Sequence, residues 1–194
     1  MKKFLCASAL AVAVVASPAL AQDGSLSSTS SSAEVDISTT IPKLVRISGL
    51  QDITLTASAT DLANTSGAYN RGQTFCVYSN DTMAGLYKLS VNGQAGAELN
   101  TGEAKYALSG PEGQTLSFAL WTSDVAANAY AGGTATPGVA KSFKTTSGGQ
   151  ARTTTLNCNG TENASMNVRF SNSRILAAVA GTYTGTLTFV VEAL

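Results

Sequence analysis

Apolar and polar positions along this chain alternate at period two in many short stretches, which predicts strands joined by turns and no long amphipathic helix. The first such stretch, Ala33 to Ile47 (AEVDISTTIPKLVRI), sits unusually close to the N-terminus. There Val35, Ile37, Thr39 and Ile41 recur on one face, with Glu34, Asp36, Ser38 and Thr40 between them. Pro42 then breaks the run. Proline offers no backbone donor and is tolerated at strand edges and breaks, so residues 33–41 and 43–47 form two separable strands. Periodicity alone leaves open whether residues 33–41 pair within the chain or with another one.

Ile47 to Ser58 predicts the next strand, with Ile53, Leu55 and Ala57 on one face, and residues 59–73 read as loop because of Asn64, Ser66, Gly67, Asn70 and Gly72. Thr74 to Ser79 is apolar on both faces. Leu86 to Asn92 places Tyr87, Leu89 and Val91 inward. Lys105 to Leu108 and Leu116 to Thr122 follow, with Trp121 on the opposite face from Leu116, Phe118 and Leu120. Asp124 to Ala131 predicts one or two helical turns capped by Asp124. Lys141 to Thr146, Thr153 to Asn159 and Ser165 to Ser171 resume the strand pattern. The chain closes on GTYTGTLTFVVEAL, where Tyr183, Leu187, Phe189 and Val191 face one way and threonines the other. Short strands at this spacing predict one all-β sandwich domain.

The N-terminus adds an address. MKKF, an apolar run from Leu5 to Ala16 and the A-x-A pair Ala19 and Ala21 read as a secretory signal peptide over residues 1–21, too short in its apolar core for a stable membrane span. Cleavage leaves 173 residues from Gln22, beginning with the serine-rich leader QDGSLSSTSSS. Lys2 and Lys3 depart with the signal peptide, so ten of the twelve basic residues remain against twelve acidic ones, a net charge near −2. Such a chain has no electrostatic attraction for nucleic acid. Cys76 and Cys158 remain in an exported protein and are expected to form one disulfide. In the chain-entropy account a loop of this length is worth about 4 to 5 kcal/mol.

Candidate chemistry is thin. Histidine is absent, which removes the usual general base and the commonest zinc ligand, and the acidic residues are scattered. No phosphate-binding glycine loop, EF-hand or zinc spacing occurs. The reading is therefore a non-enzyme with no catalytic, metal or cofactor site. Asn64, Asn80, Asn159 and Asn163 begin N-x-S/T triplets and mark expected surface positions. Trp121, Tyr87, Tyr106 and Tyr130 are the aromatics from which a sugar site could be built.

The ending GTYTGTLTFVV and the segment CVYSN…YKLSVNG resemble spore coat protein U-like domains and the archaic and alternate branches of chaperone-usher pilus subunits, although the cysteines here lie later and farther apart. That resemblance implies an incomplete immunoglobulin-like sandwich over residues 43–194, preceded by a leader and donor strand over residues 22–42. It implies that Val35, Ile37, Thr39 and Ile41 enter a neighbouring subunit's groove, lined partly by Tyr183, Leu187, Phe189 and Val191. The implied partners are identical subunits in a fibre, a periplasmic chaperone and an outer-membrane usher, with export through the periplasm to the cell surface and a role in adhesion or biofilm formation. The alternative is a self-complemented secreted sandwich, serving as a coat protein or a carbohydrate-binding tip module.

Overall fold

A computed structural model describes residues 23–81, 85–97, 106–127, 129–143 and 155–194. The signal peptide therefore lies outside the described residues, as do Lys105, residues 144–146 of one predicted strand and residues 153–154 of another. The chain divides into two units, residues 1–41 and 42–194.

In the first unit the described residues form no strand of their own, although residues 33–41 carry the strand pattern. Every side chain from Asp23 to Ile41 is exposed. Ile37 is 90% exposed, and Val35 and Ile41 follow at 70% and 75%.

The second unit is an antiparallel two-sheet structure. Its strands are β1 (Val45–Ser48), β2 (Ala68–Ser79), β3 (Tyr87–Asn92), β4 (Tyr106–Ser109), β5 (Thr115–Ser123), β6 (Lys141–Phe143), β7 (Ala164–Ser171) and β8 (Thr188–Ala193). They are arranged in a five-stranded sheet ordered β1-β2-β7-β5-β4 and a three-stranded sheet ordered β6-β3-β8. Two short helices, α1 (Ala59–Leu62) and α2 (Asn172–Ala177), interrupt the strands.

Alternation decides which faces meet. Phe75 and Val77 of β2, Phe118 and Leu120 of β5, and Met166, Val168 and Phe170 of β7 point inward from the larger sheet. Tyr87, Leu89 and Val91 of β3 and Phe143 of β6 come from the smaller one. Phe75 meets Phe189 of β8 edge to face across the core at 5.8 Å. Full burial of one such side chain is worth about 1.5–3 kcal/mol, so the shared core holds the sheets together. Cys76 and Cys158 are disulfide-bonded across 82 positions of sequence.

Four local expectations are corrected. Residues 59–73 are not all loop: Ser58 and Asp61 form a capping box that starts α1, and β2 begins at Ala68. Gly72 fits inside that strand because Asn167 and the Met166 carbonyl lie close to where a Cβ would stand. Asp124 starts no α-helix, and a 3-10 turn spans Ala129–Gly132. Thr155 to Asn159 is no strand either: a turn leads into a 3-10 segment at Cys158–Gly160, and Cys158 and Asn159 adopt positive φ values that a strand excludes. Asn163 is buried rather than on the surface.

Candidate functional site

The groove begins where β1 stops. Its ladder with β2 runs from Val45 opposite Ser79 to Ser48 opposite Cys76. Gly49 then takes φ +84°, a conformation that favours glycine, and the chain turns off the ladder. Residues 49–57 pair with no strand, yet Ile53, Leu55 and Ala57 remain half-buried while their neighbours are exposed. The predicted alternation is real, and the predicted strand over Ile47 to Ser58 is not.

Side chains replace the lost ladder. Had β1 continued in register, Gln51 would face Gln73. Instead the Gln73 amide accepts from the Gln51 N–H at 2.9 Å and donates to the Gln51 carbonyl at 2.9 Å, standing in for a backbone unit. The Tyr69 hydroxyl similarly donates to the Thr56 carbonyl at 3.1 Å. Residues 49–57 are thus tethered roughly one side chain away from the strand they would otherwise join.

The opposite wall is the approach to β8. Thr184 pairs with Ser109 of β4 through two backbone hydrogen bonds of 2.8 Å, and the chain then crosses to the smaller sheet, where β8 pairs with β3. β8 is the edge of its sheet and β1 the edge of the other. Among the described residues, neither edge has a further strand beside it, the condition that recruits an additional one.

Between the walls lie two adjoining cavities of about 300 and 770 Å³ that share Asp52, Ile53, Leu55, Leu108, Phe170 and Gly185 in their linings. Phe118, Met166, Val168 and Phe170 form the floor. Leu187 and Phe189 line the first cavity and Tyr183 the second. Val191 packs against the core without lining either. The structure so brings Tyr183, Leu187 and Phe189 to one groove, while Ile53, Leu55 and Ala57, read from sequence as an ordinary strand face, supply the facing wall.

The walls run antiparallel. At one end Lys43 donates its ammonium to the Leu194 carbonyl, and at the other, residues 52–57 share cavity lining with residues 178–185. The Lys43 end is fixed in detail. Lys43 pairs with Asp81 at 2.7 Å, the Asn80 N–H donates to the Leu44 carbonyl, and the Asn80 side chain both accepts from the Leu44 N–H at 2.6 Å and donates to the Pro42 carbonyl at 3.0 Å. Residues 42–44 consequently continue the line of β1 beside Asn80.

The four aromatics of a possible sugar site are not gathered together. Tyr87 and Tyr106 are core residues, their phenols pushed upward in pKa by burial, Tyr106 to about 12. Trp121 is 9% exposed, covered by Tyr130 at 5.2 Å with the Arg169 guanidinium 5.8 Å from its ring centroid. Among the described residues, no cluster of three or more acidic, Cys or His side chains is placed to hold a metal, and no helix is long and apolar enough to cross a membrane.

Among solved structures, the chain is similar to the one described as a chaperone–tip adhesin complex in CFA/I fimbriae biogenesis, at 13% identity and a TM-score of 0.45. The match covers 77% of this chain and 42% of that one, so this chain spans less than half of its length. No family model matches the sequence, and no curated protein does.

Proposed function

We propose that this chain is the structural subunit of a chaperone-usher type surface pilus, polymerising by strand exchange: residues 33–41 of one subunit complete the sandwich of the next. The observation carrying the proposal is the groove with an apolar floor between two antiparallel walls that join no further strand among the described residues, in a chain that also holds an exposed alternating segment of matching length. Nine donor residues span about 30 Å, and the eight residues 50–57 of one wall about 26 Å. A strand laid there gains a ladder from the walls while Val35, Ile37, Thr39 and Ile41 cover the floor. Before exchange the open groove needs an apolar cover, the task that the resemblance gives to a periplasmic chaperone, with an outer-membrane usher placing subunits in the fibre. Adhesion or biofilm formation belongs to the fibre as a whole.

The linker favours exchange over self-filling. Residues 42–44 run on in the line of β1, so a chain leaving along that line must reverse to enter its own groove, and the Asn80 side chain holds the two backbone groups that a tight reversal has to move. Exchange also has a preferred direction. A donor parallel to β8 brings its own body to the end where the acceptor's linker departs, and an antiparallel donor brings it to the opposite end. Only the second leaves both ends free to propagate head to tail, which generates an open filament.

The test is the full-length protein on denaturing gels, unboiled and boiled, beside negative-stain electron microscopy and a variant lacking residues 22–41. A heat-labile ladder with thin fibres, both lost in the truncation, is the expected outcome. A monomer band under every condition and an empty grid refute the proposal and favour the self-complemented sandwich.

A further inference from the structure

The donor pattern ends at Ile41, and from Pro42 onward the chain is bound to its own body by Asn80 and by the Lys43–Asp81 pair. Resting on the strand-exchange reading, this fixes where the next body must sit. When an antiparallel donor fills the groove, Ile41 lies at the end walled by residues 178–183, and the donor's clamped Pro42–Leu44 pole arrives beside it.

That end already carries an exposed apolar patch. Leu176 is 51% and Val179 36% exposed, and Val179 lines the larger cavity, so the patch is continuous with the groove. It is also held firmly. The Asn172 side chain donates to the Asp61 and Asn64 carbonyls at 2.8 and 2.9 Å, tying α2 to the turn after α1, and the Tyr183 hydroxyl donates to the Val179 carbonyl at 3.0 Å. The arriving pole presents Leu44, 48% exposed, and Leu194, 36% exposed. We infer that Leu176 and Val179 of one subunit seat the Leu44 and Leu194 pole of the subunit whose donor fills its groove, a second interface that sets the angle between successive bodies.

Cross-linking tests this contact separately from strand exchange. Full-length chains carrying Leu44→Cys and Leu176→Cys are assembled into fibres and treated with a short bismaleimide, then boiled in SDS. A second chain carries Leu44→Cys with Leu156→Cys. Leu156 is as exposed as Leu44 and lies near the Cys76–Cys158 bridge, eight residues along β2 from Ala68, where β2 meets β7 just before α2. The inference expects a covalent ladder from the first chain, at least tenfold stronger than from the second. Normal fibres with no ladder, or with equal ladders, overturn the contact and leave strand exchange standing. If neither variant nor the wild-type chain assembles, strand exchange and the contact fall together.

Discussion

Ile37 offers the sharpest separation between a subunit's own stability and that of the link it makes. In its own chain the side chain is 90% exposed, so Ile37→Ala removes no packing there. The urea midpoint of the monomer should then stay within about 0.5 kcal/mol of wild type, as for other surface changes. On the strand-exchange proposal the same side chain is covered by the wall and floor of a neighbour's groove. Truncating a buried Ile to Ala costs about 2–5 kcal/mol once the vacated space is included. At about 1.4 kcal/mol per factor of ten, the link should dissociate roughly thirtyfold to a few thousandfold faster. Ile37→Asp adds an unpaired buried charge and should abolish stable links altogether.

The assay is the time for the unboiled ladder to decay in SDS at fixed temperature, measured beside monomer unfolding. Ser38→Ala serves as the comparison, since Ser38 alternates to the other face of the donor. If Ile37→Ala decays at the wild-type rate, or no faster than Ser38→Ala, then Val35, Ile37, Thr39 and Ile41 are not the residues that fill the groove. If Ile37→Ala destabilises the monomer instead, the segment pairs within its own chain.

Two further outcomes follow from the body. Asn163 is buried, and its side chain accepts from the Val77 N–H at 2.9 Å and donates to the Val77 carbonyl at 2.8 Å, so Asn163→Leu strands two buried backbone groups and should cost about 2–6 kcal/mol by urea unfolding; a loss below about 1 kcal/mol contradicts that role. Burial raises the Tyr106 phenol to about 12 from 10.0, so the folded state retains a proton that the unfolded state releases, and this phenol's stability contribution, complete below pH 10, should decline as pH rises toward 12 by up to about 1.4 kcal/mol per unit. Tyr106→Phe, which also gives up the hydroxyl's bond to the Val91 carbonyl, should flatten that alkaline decline, and an unchanged pH profile refutes the assignment.

Alternation made the inward faces legible. Tyr87, Leu89 and Val91, like Met166, Val168 and Phe170, are core residues, as period two requires of half-buried strands. What alternation does not encode is whether a backbone is paired. Ile53, Leu55 and Ala57 carry the same signal as a laddered strand, yet after the positive φ at Gly49 the Gln73 and Tyr69 side chains hold this stretch in place of a ladder. The final stretch shows the same ambiguity, since Tyr183 and Leu187 share a face with Phe189 while only Thr188–Ala193 is strand. Polar residues misled in the other direction. Asn70 and Gly72 read as loop but lie within β2, because the β7 backbone opposite supplies their pairing. The alternation of residues 33–41 and the proline after them are legible in the sequence, whereas the wall formed by residues 49–57 needed the third dimension.

Three amides explain how a sandwich can leave an edge open without unravelling. Gln73 holds the departing wall, Asn163 serves the β2 backbone beyond the last residue of its ladder with β7, and Asn80 continues the β1–β2 pairing into the linker. Each stands where a backbone ladder ends and supplies bonds that the ladder no longer does, so termination leaves few polar groups stranded. Anchors at the groove's two ends complete the arrangement. Lys43 with Leu194 joins the two walls at one end, and Thr184, itself part of the lining of the larger cavity, is held to Ser109 of β4 at the other. The walls are thus held as a template, and an incoming strand has only to supply its own ladder and side chains rather than first prise the sheets apart. On the strand-exchange proposal, such a body stays folded while the occupant of its groove changes.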